Sequence, residues 1–202
     1  MREAIGRVRF SSVLLAGVLA GVLSGPIAVS ANAQDPQHTP RIVGADDVQA
    51  TPFPGHDTYL LSDAEATPSG AAVLEIRLPP RTFGAPPHVH TKEDEHFFVL
   101  EGEVEFLDRD VTRRAGPGSL VVLPRGHLHG FWNLTDEPAR MLLMVTPGEF
   151  ASFFDAVVAE VRKTHPDNPA AVGAIIAEVA QRFDVTIHPD KLPASALPLL
   201  PR

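Results

Sequence analysis

Four side chains that suit one metal ion, His88, His90, Glu95 and His129, fall in two short stretches of this chain. The stretches are HVHTKEDEHFFVLEG, starting at His88, and GSLVVLPRGHLHGFWN, starting at Gly118. If the four meet, the fold is heavily constrained. In an extended strand, residues two apart share a face, so His88 and His90 point the same way. Glu95 follows across a charged turn at 91–94 and opens the next strand. His129 stands 39 residues beyond His90 and joins them only if the chain closes on itself, as a β-barrel does. Five of the nine histidines lie between residues 88 and 129, where even scattering would put roughly two. That crowding favours a built site over stray surface histidines. Imidazole and carboxylate donors suit one divalent transition metal, Fe, Mn, Ni, Co, Cu or Zn. The chain has no cysteine, so sulfur ligands and disulfides are excluded.

The remaining pattern fits closure. Short apolar runs at 58–61, 71–78, 95–100, 104–107, 120–123, 131–134 and 140–145 are separated by Gly and Pro turns, the signature of a β-sandwich or barrel. The 104–107 run reads as the hairpin partner of 95–100, and 120–123 as a short buried strand. From Thr146 the period changes. Thr146-Pro147-Gly148-Glu149 reads as a capping box. Phe150, Phe153, Phe154, Val157, Val158 and Val161 then recur at helical spacing and form one apolar stripe, for core or dimer packing. Asn168-Pro169 caps a second helix, and 185–187 is a short closing strand. The expected divisions are a leader at 1–33, a poorly ordered lead-in at 34–56 with an edge strand near 41–43, a barrel at 57–146, a helical segment at 147–188 and a surface tail at 189–202.

Residues 1–33 read as an export signal. Arg2, Arg7 and Arg9 precede an apolar run at 13–29, and Ala31-Asn32-Ala33 gives a small-x-small cleavage site. Gly17, Gly21, Gly25 and Pro26 interrupt the run, which is at the lower edge of spanning length. Cleavage is therefore expected rather than a retained membrane anchor, which places the product in the periplasm or outside the cell. The net charge is −8, and the leader itself is cationic, so the remainder is more acidic still. Such a chain repels nucleic acid and anionic lipid. A small molecule is the expected partner.

The two histidine stretches resemble the motifs of the cupin superfamily. The first motif, His–x–His, three or four residues, Glu, six residues and Gly, is met by His88, His90, Glu95 and Gly102. The second, Gly, five residues, Pro–x–Gly, two residues, His, three residues and Asn, is met by Gly118, Pro124, Gly126, His129 and Asn133. One position departs: Thr82 stands where the family has a leading Gly, and Gly84 comes two residues later. The resemblance implies a mainly β fold, a double-stranded β-helix or jelly-roll barrel followed by a C-terminal α-helical segment, with His88, His90, Glu95 and His129 as metal ligands. Asn133 is expected to support backbone near His129.

Within the superfamily the chain looks most like single-domain quercetin dioxygenase-like bacterial cupins. That likeness implies a metal-dependent dioxygenase acting on a small aromatic or enolisable substrate with O₂, with Glu95 as catalytic base as well as ligand. The other class left open is a non-catalytic small-ligand or metal-binding protein of the cell envelope. Phe97, Val99 and Phe131 alternate beside ligands and are either pocket lining or plain core. His96 faces away from Glu95, and His127 belongs to a polar rim. Glu93 and Asp94 read as solvated turn charges, and Arg125 is the one charge near the ligands available to a substrate. A homodimer, through the Phe150 stripe or the 40–60 arm, is compatible with the pattern.

Overall fold

The computed structural model describes residues 38–200; the export leader expected at 1–33 lies outside the described residues. Eleven strands and two helices follow one another in the order β1 (Thr51–Phe53), β2 (His56–Ser62), β3 (Ala72–Leu78), β4 (Thr82–His90), β5 (Asp94–Glu101), β6 (Val104–Asp108), β7 (Val111–Ala115), β8 (Leu120–Leu123), β9 (His129–Asn133), β10 (Ala139–Thr146), α1 (Ser152–Thr164), α2 (Pro169–Arg182) and β11 (Val185–Ile187). The strands form two antiparallel sheets, β1-β2-β3-β10-β5-β8 and β11-β4-β9-β6-β7. This is the double-stranded β-helix with a C-terminal helical segment.

Burial alternates as a two-sided sheet requires. Along β10, Ala139, Met141, Leu143 and Val145 are buried and their neighbours are not. They meet Leu74, Ile76, Phe97 and Val99 in the core. Phe97, Phe106 and Phe131 tilt against one another with centroids 5.1 to 5.8 Å apart, a separation at which aromatic pairs attract beyond simple burial. α1 and α2 add Phe153, Phe154, Val157 and Val179 to the same core. Asn168 Oδ1 accepts from the Ala171 amide at 2.9 Å, satisfying one of the donors orphaned at the start of α2.

Several local expectations fail. β6 is not the hairpin partner of β5: it pairs with β9 and β7 in the other sheet. The link at 102–103 changes sheets, which a hairpin reading of the same Gly cannot distinguish. β8 is an edge strand with Leu120 and Val122 more than half exposed. The lead-in forms no strand at 41–43; its last part instead forms β1, with Phe53 buried, and the first residue of β2, His56, also buried. Thr146 does not cap a helix: a 3-10 turn at Gly148–Ala151 comes first, and α1 begins without a side-chain cap. The tail is docked. Ala196 is fully buried with Leu107 and Trp132, and Leu192 and Leu199 pack beside them. Among the described residues no helix is long and apolar enough to cross a membrane.

Candidate metal centre

β4 carries two ligands because it is irregular. Its pairing with β9 slips at Gly84 and again at Pro86-Pro87. Proline cannot donate to a ladder, so it marks such a bulge. A methyl group at Gly84 would run into the Phe131 ring and carbonyl, which is why glycine stands there despite the missing motif glycine at 82. Beyond the second slip, His88 and His129 are direct cross-strand partners. On the other flank of β4, β11 pairs Ile187 with His88 and Val185 with His90. Glu95 opens β5 in the opposite sheet, opposite Val145 and Leu123.

The four side chains converge inside the barrel, each buried, with one ligand atom from each lying within 4.8 Å of all the others. His129 Nε2 lies 2.9 Å from Glu95 Oε2, His90 Nε2 lies 3.6 Å from the same oxygen, and His88 Nε2 is 3.1 Å from His90 Nε2. The far side of each imidazole is occupied. His88 Nδ1 faces the Pro86 carbonyl at 2.7 Å, His129 Nδ1 faces the His127 carbonyl at 2.9 Å, and His90 Nδ1 faces Glu93 Oε2 at 3.0 Å. All three partners are acceptors, so Nδ1 donates in each ring and the Nε2 lone pairs turn inward. Neutral lone pairs 3.1 Å apart repel unless a cation lies between them. Donors at these separations suit one ion with bonds of about 2.0–2.2 Å. The donor set therefore fits a divalent metal held by His88, His90, Glu95 and His129.

Electrostatics point the same way. Burial pushes the Glu95 carboxyl up, but His90 and His129 outweigh it and hold the group at about 2, so it is an anion at any working pH. Burial, and then the neighbouring His129 and His90, drive His88 well below the ordinary histidine value. It is neutral, as a ligand must be.

The other sequence candidates divide. Phe97 and Phe131 line a cavity of about 130 Å³ that touches His88 and Glu95. Val99 does not line it, although it is fully buried. It lies four residues along β5, about 13 Å from Glu95 at the usual strand rise, and exchanges backbone hydrogen bonds with the 118–119 turn. His96 sits across from Val122 and Met144, away from the ligands, and His127 is no part of the cluster. Glu93 is not a solvated turn charge: it is buried and orients His90. Asp94 is held at about 2 by the Arg125 guanidinium and backbone amide. Arg125 is thereby paired through both side-chain and backbone nitrogens and is not available to a substrate. Asn133 braces the carbonyls of Pro79 and Glu137 and the amide of Thr135, rather than the backbone beside His129.

Several lining residues were not singled out from sequence as site residues. Phe53 and His56 come from β1 and β2, Phe150, Phe153 and Phe154 from the turn and helix after β10, and Val185 and Ile187 from β11. Phe150 stands edge-on to His90 with centroids 4.6 Å apart. The helical stripe is thus core packing and cavity wall together.

Residues 74–146 match the family described as the cupin domain, and all four converging side chains lie inside that match. The chain carries a cupin domain over those residues. A germin-like protein of Arabidopsis thaliana, subfamily T member 2, is 26% identical over 185 residues, covering 88% of this cupin and 72% of the relative. Among solved structures, a sugar phosphate isomerase of the cupin superfamily from Silicibacter pomeroyi is 24% identical, with 52% of this chain and 75% of that one covered at a TM-score of 0.47. The polyketide cyclase RemF from Streptomyces resistomycificus is 26% identical, with 53% and 79% covered, also at 0.47. The matched cupin domain supplies the whole ligand set. Much of the closing wall lies outside it.

Proposed function

We propose that this cupin is an exported metalloenzyme that uses O₂ to oxidise a small aromatic or enolisable compound. The carrying observation is that a buried three-histidine, one-carboxylate cluster opens onto a cavity walled by aromatic and aliphatic side chains. When bound, a divalent transition metal would acidify an enol or phenol hydroxyl and, if redox-active, supply dioxygen chemistry. The protein does the rest. His88, His90 and His129 hold their Nε2 atoms inward on three fixed hydrogen bonds. Glu95 is an unprotonated carboxylate at the boundary between cluster and cavity, placed to take the proton that an acidified hydroxyl loses. Phe97, Phe131 and Phe150 exclude water and offer faces and edges to a planar substrate. The leader-like Arg-rich start, apolar run and Ala-x-Ala site at 1–33 support export.

Elemental analysis of the purified mature protein, then an oxygen-uptake screen against phenols and cyclic diketones with the metal it holds, tests this reading. Bound Fe, Mn, Ni, Co or Cu with uptake is expected. Tightly held zinc, which has no redox role, or retained metal with no uptake on any of them, overturns it in favour of a ligand-binding protein.

A further inference from the structure

The cavity beside the ligands is nearly devoid of hydrogen-bonding side chains. Among its lining residues only three are polar: His88 and Glu95, which belong to the ligand set, and His56. His56 lies outside the matched cupin domain, on β2, and is buried. Two strands, β3 and β10, separate its strand from the β5 of Glu95, so the polar lining falls in two places, the ligand pair His88 and Glu95 at one and His56 alone at the other. Between them runs an aromatic wall. His90 meets Phe150 at 4.6 Å, Phe150 meets Phe154 at 6.0 Å, and Phe154 meets His56 at 6.4 Å. The His56 ring is also stacked on Phe53 at 5.0 Å, which fixes its plane.

Nothing in the architecture explains a histidine there. Its hydrogen-bond partners are Thr58 Oγ1, 3.4 Å from Nδ1, and the backbone of Asp57, both on its own strand. Among the described residues no other wall of the cavity supplies one. A neutral imidazole can donate at one nitrogen and accept at the other. Burial lowers its pKa to about 4, so it presents a neutral ring that can donate or accept.

Size narrows the ligand further. At about 130 Å³, the space is close to that of an engineered cavity of about 150 Å³ that binds benzene. Space of that size matches a single ring better than a three-ring flavonol. The neighbouring surface is also apolar. An outer groove of about 860 Å³, bounded by Val172, Leu199 and Leu200, shares Pro54, Phe83, Pro86, Ile176 and Ile187 with the cavity. Asp167 is its one charged side chain, so an anionic ligand gains nothing there.

We propose that the substrate is a neutral, single-ring phenol or cyclic enol with a second hydrogen-bonding group, and that His56 binds that second group while the first oxygen meets the metal cluster. The proposal rests on the metal-site reading given above, and the test separates the two. Calorimetry under anaerobic conditions compares hydroquinone with 4-methylphenol, its near-isostere lacking one hydroxyl, on metal-loaded protein. A preference of about five- to tenfold for hydroquinone is expected, the worth of one net hydrogen bond. His56→Leu should erase the preference, so that the two phenols bind alike. Quercetin should show no binding. Equal affinity of the two phenols for wild type, a preference that survives in His56→Leu, or quercetin binding as tightly as hydroquinone each overturns the proposal. Stripping the metal with EDTA should weaken both phenols alike. If it weakens neither, the metal-contact half fails, whereas loss of the His56-dependent preference fails the other half alone.

Discussion

The two ends of the cavity are built on different physics. At the ligand end each imidazole is tied by a hydrogen bond that fixes its orientation. At the closing end Phe53, Phe150, Phe153 and Phe154 touch through tilted, stacked and edge contacts alone. The first end comes wholly from residues 74–146, and the closing phenylalanines lie outside that range. A metal site fails if one donor turns away, so it needs directional restraint. A wall needs only to exclude water and match a shape, which non-directional packing achieves. The ligand cluster and the cavity wall are therefore separable, and substitutions at either end should leave the other intact.

The largest effect should come from His129→Ala, which removes a donor and its cross-strand contact with His88. Metal binding should be effectively lost, with the far-UV circular dichroism unchanged. Full metal occupancy by elemental analysis would mean that the second motif does not supply a ligand. Next, Phe154→Ala should lower stability by about 3–5 kcal/mol in urea unfolding, the usual range for a buried Phe, yet keep one metal per chain. Loss of metal there would break the separation of the two ends.

A somewhat smaller effect concerns pH. The folded pKa of His56 is about 4, below the reference value of 6.5. Above pH 6.5 both folded and unfolded states carry the neutral ring, and this residue imposes no penalty. Between pH 6.5 and 4 the unfolded state takes the proton first, so stability falls with pH, by roughly 3 kcal/mol in all, and the loss levels off below pH 4. In EDTA-treated protein, His56→Leu should flatten that part of the stability curve relative to wild type; parallel curves would refute the assignment. The smallest effect belongs to Glu93→Gln. It leaves an acceptor for His90 Nδ1 but removes the charge, and metal affinity should drop about 10–100-fold, as changes to groups that orient ligands do. Competition with a chelator measures this. No change would show that the Glu93–His90 contact is incidental.

The ligand end was legible in the sequence because its signals are local. His88 and His90 share a strand face, and the turn glycines at 102, 118 and 126 have positive φ, as tight turns need. Glu93 was misread because acidic turn residues are usually solvated, and nothing in the order of residues says that this turn folds back onto His90. The closing end was legible as helix but not as wall. A stripe of Phe150, Phe153 and Phe154 reports which face is buried, not whether packed core or a cavity lies beneath it. Pairing between sheets was hidden for a related reason. β5 and β6 are adjacent in sequence and alternate alike whether they pair with each other or part company at Gly102. Val99 shows the limit of alternation: it faces inward as Phe97 does, but distance along the strand takes it past the cavity.

The pairing of β11 with β4 has a consequence for the order of events in making this protein. The strand that bears His88 and His90 is flanked on one side by β9 and on the other by residues 185–187, synthesised nearly a hundred residues later. Further bonds clamp the same segment, from the His188 amide to the Pro87 carbonyl at 2.7 Å and from the Thr91 amide to the Asp184 carbonyl at 3.3 Å. Until those last residues are released, the ligand strand has an open edge and its histidines are free to swing. Tight metal capture should therefore come only once the chain is finished. A chain truncated before Val185 should bind metal loosely even though it retains all four donors, which a chelator competition would reveal.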